Sequence, residues 1–237
     1  MVPPAAAGLV AAAAEAAAFA ATIPLMPKNA MPRVVRAALT ITLVPLLWNA
    51  DPFRAYTESM TMAVVERAIA GAAFGLAAAI VAGAVNAAGD AIDIALGSPP
   101  FAQRAPSGGP IGLLYQLAYA VVLLQSGGLT RIICQLAVAG DALPHPLLNM
   151  RGLAALGSAS FHASFLLAGP MLFAQALATV AAGIVARAAP QVGGALFSGP
   201  LVGAAVLCTV TVGAAALWPE LAELVRQTVQ FAKATAQ

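Results

Sequence analysis

The sequence predicts an all-α, polytopic membrane protein, and its composition, its long uncharged runs and its spacing of small residues all favour that class. Of the 237 residues, 61% are hydrophobic and only 8% are charged, and the mean hydropathy is +0.90. Soluble domains carry about 25% charged residues, so this chain cannot build a surface that faces water throughout. Because backbone groups in lipid must be paired internally, uncharged runs of this length are expected to be helical.

We expect one membrane domain over residues 1–237, with about six hydrophobic helices of which some are short or broken. The first apolar segment runs from 5 to 27 and carries Glu15 midway along it. A carboxylate in that position calls for a buried partner, such as Arg36 or Arg67, or for a wet lumen. The residues alone leave these alternatives open.

The turn after the first helix holds the densest basic cluster of the chain, Lys28, Arg33 and Arg36. Under the positive-inside rule we expect this turn to face the cytoplasm. A short apolar segment, 37–48, follows and ends at Trp48, a residue type enriched at membrane interfaces.

A long helix from 60 to 97 organises the predicted fold. After Glu66 and Arg67, residues 68–89 carry no charge, and their length of about 33 Å matches the hydrocarbon core of a bilayer. Small residues that recur every four positions let another helix approach closely in lipid. On this helix they are Gly71, Gly75, Ala79, Gly83 and Ala87.

Two aspartates close the long helix, and a loop rich in proline and glycine follows them. Asp90 and Asp93 stand at i and i+3, so they share one helical face. They either face a cavity, a partner or an ion path, or mark the water-exposed end of the helix. The loop, 98–110 (SPPFAQRAPSGGP), cannot continue the helix because of its prolines.

The rest of the chain alternates apolar segments with proline or glycine breaks. Because the arginines do not fit a simple zigzag topology, we expect either an irregular topology or helices arranged as hairpins in a larger assembly. The run 152–187 is interrupted at Gly169-Pro170. The predicted segments after the loop are 111–125, 129–140, 152–187, 195–218 and an amphipathic tail at 219–237.

Chemistry-bearing residues are sparse. Cys134 and Cys208 sit in apolar runs without a CxxC partner, and we expect both to be buried, inert thiols. His145 and His162 have no carboxylate or cysteine at ligand spacing. We therefore predict no catalytic site, no metal and no cofactor. The thinly spread net charge of +2 gives no indication of nucleic-acid binding.

Five motifs occur in an order that resembles the SctT/FliR family of type III secretion export apparatus proteins. They are E-R-x-I-x-G-x-x-x-G at 66–75, A-A-G-D-x-I-D-x-x-x-G at 87–97, S-G-G-P-I-G-L-L at 107–114, L-L-Q-S-G-G at 123–128 and I-V-A-R-A-A-P-Q at 184–191. The second and third are more similar to the virulence-type (injectisome) branch than to the flagellar branch.

Three positions depart from the family pattern. Ile94-Ala95-Leu96 stand where the family carries a polar triplet, Gly193-Gly194 follow the Pro-Gln pair where it carries an asparagine, and Leu201 replaces a common lysine. These departures remove polar side chains at those points and leave the expected fold unchanged.

The resemblance implies a non-enzymatic, single-copy subunit of an export gate in the bacterial inner membrane. Its implied partners are SctR/FliP-like and SctS/FliQ-like gate subunits, an SctU/FlhB-like switch protein, the lipid bilayer and the unfolded proteins that are secreted.

In this family the loop after the third helix projects into the channel as a plug, and here that loop is 98–110. Its implied gating residues are Ser98, Pro99, Pro100, Phe101, Arg104, Pro106, Ser107, Gly108, Gly109 and Pro110. Implied contacts with other subunits or with the lumen are Glu66, Arg67, Gly71, Gly75, Gly83, Asp90, Asp93, Arg187, Pro190 and Gln191.

The competing hypothesis is a transporter subunit for small molecules or ions, with Glu15, Asp90 and Asp93 as proton or cation sites. It predicts internal repeats and a charge-lined path at the midplane, and no convincing repeat is present. A membrane-embedded enzyme is disfavoured by the lack of a catalytic constellation.

Overall fold

The computed structural model describes residues 4–24, 32–50, 60–95, 109–142, 150–188 and 218–233. Within these ranges there are seven helices and no strand, which confirms the all-α prediction. Six of them are α1 (Pro4–Thr22), α2 (Arg33–Ala50), α3 (Met60–Ala95), α4 (Pro110–Gln125), α5 (Gly128–Ala142) and α6 (Met150–Ala188). The seventh, α7, covers 218–233.

Two of these helices are long and apolar enough to cross a membrane. They are α3 and the part of α6 from Gly152–Ala181, and α4 with α5 makes a third candidate if the bent pair counts as one span. The length and composition of these segments fit a helical membrane protein. Apart from its last residue, the predicted span 195–218 lies outside the described residues, as do Cys208 and His145.

Helix α3 is the centre of the packing, with α1, α4 and α6 against it and α2 against α1. A methyl group on Gly71 would overlap the backbone carbonyl of Glu15, and one on Gly75 would overlap the Thr22 side chain. Gly71 and Gly75, the first two of the small residues spaced four apart, therefore pack on α1 of the same chain, whereas the family resemblance implied a contact with another subunit or with the lumen. This close approach allows van der Waals contacts, the main attraction between helices in lipid, at the crossing of α1 and α3.

Helices α4 and α5 meet at a bend of 63°. Gly127 at the bend has a φ of +65°, a left-handed conformation that favours glycine. The end of α4 is completed by the Ser126 amide, which donates to the Val122 carbonyl at 2.9 Å. The L-L-Q-S-G-G motif is thus the corner of a broken helix pair.

Helix α7 packs one side against this corner. Its buried residues are Leu221, Leu224, Val225, Thr228, Phe231 and Ala232. A methyl group on Gly128 would lie 2.7 Å from Val225, and Thr228 lies beside Tyr119 of α4. The amphipathic pattern of the tail therefore corresponds to a helix docked on its own chain.

Two local predictions are wrong. Helix α6 passes through Pro170 without a break, because the carbonyl that proline frees can be satisfied locally in a membrane helix. Cys134 is exposed on α5 and not buried, since the side of α5 that packs inward carries Ile132 and Leu136 instead.

Candidate functional site

The candidate site is the junction between the end of α3 and the start of α4, on either side of the loop that the family resemblance identifies as a plug. Of the predicted plug residues, Gly109 and Pro110 are described, and the others lie outside the described residues. Pro190 and Gln191 also lie outside them.

Asp93 joins the two helices directly. Its Oδ1 accepts a hydrogen bond from the Ile111 amide at 3.2 Å, and its Oδ2 accepts one from the Gly112 amide at 2.9 Å. These amides belong to the first turn of α4, where no intrahelical acceptor is available. The N-cap residue of α4, Gly109, has no side chain that could satisfy them. Asp93 therefore caps α4 from another helix.

An acidic side chain complements the electrostatics of this helix start. The first turn of a helix carries a partial positive charge from its unpaired amides, which stabilises a nearby anion. Asp93 has only 4% of its residue surface exposed, so the amides of α4 replace water as its hydrogen-bond donors. Asp93 is thus a buried helix-capping residue and not a water-exposed helix end.

Three glycines make this approach possible. A methyl group on Gly109 would overlap the Asp93 carboxylate. Gly89 and Gly112 bring the two backbones together, because a methyl group on Gly89 would lie 2.5 Å from the Gly112 Cα. A methyl group on Gly112 would in turn lie 2.7 Å from Asp90 Oδ1. The motifs at 87–97 and 107–114, separate in sequence, therefore meet here.

Helix α6 braces both sides of the junction through residues that sequence reasoning missed. The Gln175 amide donates to the carbonyl of Ala95 at the end of α3, at 3.4 Å. The Tyr115 hydroxyl of α4 donates to the Leu167 carbonyl at 3.3 Å. A glutamine and a tyrosine inside apolar runs were the available signal, since polar groups in such runs need a partner.

A second polar contact lies between α1 and α3. Arg67 Nη1 donates to Glu15 Oε2 at 2.9 Å, and the side chains are 6% and 0% exposed. Of the partners that the sequence left open for Glu15, the structure selects Arg67. Gly71, one turn further along α3, contacts the Glu15 backbone, so the E-R-x-I-x-G motif forms the docking site of α1.

The remaining predicted site residues do not join the junction. Glu66 is half-buried near the other end of α3, Gly83 is exposed with open space where a Cβ would lie, and Arg187 is exposed in the last turn of α6. Among the described residues no group of three or more His, Cys, Asp or Glu side chains could hold a metal ion.

The comparison with protein families agrees with the order of the motifs. The family model described as bacterial export proteins, family 1, matches residues 8–228, which is most of the chain. Among curated proteins, none matches the chain significantly. The chain therefore belongs to the bacterial export proteins of family 1, the SctT/FliR family, as a membrane component of a secretion export apparatus.

Proposed function

We propose that this protein is a structural and gating subunit of the type III protein export gate in the bacterial inner membrane, which it crosses several times. It assembles with SctR/FliP-like and SctS/FliQ-like subunits, next to an SctU/FlhB-like switch protein. Unfolded proteins pass through the channel that these subunits form, and residues 98–110 close it between passages. The chain itself carries out no chemistry.

The observation that carries this proposal is the clamped α3–α4 junction inside a chain of the export family. The proposed plug lies in sequence between α3 and α4, and Asp93 joins the end of α3 to the start of α4. A loop whose two ends are held in fixed positions can serve as a barrier at one defined place in the channel. Its own sequence, with prolines, glycines and the single charge of Arg104, suits a barrier that yields to a passing chain.

Exposed apolar surface supports the assembly part of the proposal. In an 18-residue apolar stretch of the candidate span in α6 only 22% of the residues are buried within the chain, against 56% in the corresponding stretch of α3. Large apolar side chains on α6, among them Phe161, Phe165 and Phe173, are more than half exposed. Such a surface fits lipid and neighbouring subunits, and we place Glu66, Gly83, Arg187, Pro190 and Gln191 among the contacts with them or with the lumen.

The transporter hypothesis gains no support from the two buried acids. The Glu15 carboxylate is bound by the Arg67 guanidinium, and the Asp93 carboxylate is bound by the α4 amides. Groups held in this way stabilise the fold rather than take up a coupled ion.

The test is a deletion of residues 102–108, which leaves Gly109 and the start of α4 intact. We expect cells with the assembled variant gate to release small solutes and ions, because the barrier is missing. Removal of the last four residues, 234–237, is the control for shortening the chain. An intact permeability barrier in an assembled deletion variant contradicts the plug assignment, and secretion without this chain contradicts the proposed function as a whole.

A further inference from the structure

We propose that one face of α6 is a contact surface for a membrane helix of another gate subunit, and that His162 makes a hydrogen bond to this partner. The surface, called the His162 face below, consists of the exposed residues Ala154, Ser158, Phe161, His162 and Phe165. The inference rests on the proposed function, because the partner is a subunit of the proposed gate. It goes further by naming the surface and the chemistry that the partner must supply.

His162 lies well inside the candidate membrane span Gly152–Ala181. Its Cα is about 7 Å along the helix axis from the midpoint of this span. The hydrocarbon core of a bilayer extends about 15 Å to either side of its midplane, so a span centred on the bilayer holds His162 within the core. Ionisable residues at this depth almost always face protein or a water-filled cavity.

The chain itself does not cover the His162 ring. The ring is exposed, on the opposite side of α6 from the buried residues Leu156, Ala163 and Leu167. An imidazole ring carries at least one N–H donor in either protonation state. Hydrocarbon tails offer no acceptor, so lipid against this ring would leave the donor unsatisfied. The surface that covers His162 must therefore supply a hydrogen-bond acceptor.

The exposed hydroxyl groups of α6 differ from His162, because they bond to their own backbone. The Ser158 hydroxyl donates to the Ala155 carbonyl at 2.9 Å, and the Thr179 hydroxyl donates to the Gln175 carbonyl at 2.8 Å. Such groups can face lipid with their donors satisfied. The His162 ring has no such bond within the described part of the chain, so it is the group that requires a partner from outside.

The shape of the His162 face suits a second helix. Ala154, Ser158 and His162 recur every four residues, so two small side chains line up with the ring along one side of α6. Small residues spaced in this way let the backbone of another helix come close. Phe161 and Phe165 border them and pack edge to face, with ring centroids 4.9 Å apart. A helix seated here places an acceptor side chain opposite His162.

The second half of α6 provides the contrast. Its exposed side chains include Phe173, Leu177 and Val180, which are large and apolar. Side chains of this kind have no polar group to satisfy, so lipid tails can cover them. We therefore expect lipid against this half of the helix and a protein partner against the His162 face.

Photo-crosslinking in intact membranes distinguishes the two halves. A benzoylphenylalanine replaces Phe161 or, as the matched control, Phe173, because the two rings are equally exposed at 66% and 67%. We expect the probe at 161 to attach to another gate subunit severalfold more often than the probe at 173. Equal yields at both positions overturn the inference, as do adducts of the 161 probe with lipid alone or with a second copy of this chain.

Substitution of His162 tests the hydrogen bond itself. His162→Leu removes the donor and His162→Gln restores one. We expect His162→Leu to reduce co-purification with the other gate subunits about threefold or more, the effect of one hydrogen bond between membrane helices, and His162→Gln to reduce it less. Both variants should melt at the wild-type temperature as isolated chains, since the ring is exposed. Undiminished co-purification of His162→Leu, an equal loss in both variants or a lower melting temperature overturns the inference.

Failure of the proposed function gives a different result from failure of this contact. A wild-type chain that purifies without any other subunit refutes the proposed gate. A wild-type chain that co-purifies with other subunits, while the probe at 161 attaches to none of them, refutes only the contact at the His162 face.

Discussion

Glu15 and Arg67 form an ion pair in a part of the molecule that is almost closed to solvent. Removing charges from water is costly, and the best-attested use of such a buried pair is to set the register of two packed surfaces. Here it fixes the register of α1 on α3, one turn before Gly71 meets the Glu15 backbone. We interpret the pair as a device for specificity rather than as an ion site.

Reversal of either charge tests this interpretation. Glu15→Arg or Arg67→Glu alone leaves two like charges buried together, and we expect a loss of about 3–5 kcal/mol of stability. The double exchange, Glu15→Arg with Arg67→Glu, should recover a large part of it. Thermal denaturation of the detergent-purified chain measures the effect. Single variants as stable as the wild type would contradict the role of the pair.

Gly71 and Gly83 give a matched comparison on one helix. Gly71→Ala forces a methyl group into the Glu15 carbonyl, so we expect a loss of about 1–3 kcal/mol through displacement of α1. Gly83→Ala meets open space and should leave the stability of the isolated chain unchanged or slightly higher. Equal melting temperatures for the two variants would show that α1 does not approach α3 closely at Gly71.

Part of the role of these residues could be predicted from the sequence. It identified Glu15 as a group in need of a partner and named Arg67 as one candidate, but 52 residues separate the two and no local rule chooses between Arg67 and Arg36. For Asp93 it offered a cavity, a partner, an ion path or a water-exposed helix end. That the partner is the backbone of α4 follows only from the tertiary structure. Gln175 and Tyr115 were missed because their partners are carbonyls, which carry no sequence signal.

At the scale of elements, α4 and α5 form a bent pair whose corner depends on one backbone conformation. Gly127 has a positive φ, and a methyl group added to it would meet no atom within 4 Å, so its requirement is conformational and not steric. The Ser-Gly-Gly sequence predicted a break at this corner. The bend of 63° and the docking of α7 on the corner follow from tertiary packing, which the sequence does not show.

Substitutions of Gly127 should separate the effect of its backbone conformation from the effect of steric crowding. Gly127→Ala is expected to lose about 1–2 kcal/mol, the cost of a left-handed conformation for an L-residue. Gly127→Asn should lose less, because asparagine adopts this region more readily. Gly157→Ala, in open space on α6, is the control. Chemical or thermal unfolding of the purified chain measures the order of stability of these variants. Equal stability of the Gly127→Ala and Gly127→Asn variants would contradict the role of the left-handed conformation.

At the scale of the whole molecule, α3 is wrapped by α1, α4 and α6, while α2 and much of α6 leave apolar side chains exposed. The composition predicted a membrane protein correctly, and the motif order predicted the family. The sequence alone could not show that Gly71 and Gly75 contact α1 of the same chain. A row of small residues has the same pattern whether it packs on α1 or on another subunit.

In the proposed function, this chain contributes the barrier of a protein-conducting gate. The electrical conductance of the purified gate complex in planar bilayers tests this role, with the wild-type chain or with residues 102–108 deleted. We predict that the wild-type complex stays closed without substrate and that the deletion complex conducts ions steadily. A deletion complex of the same subunit composition that remains closed would contradict the claim.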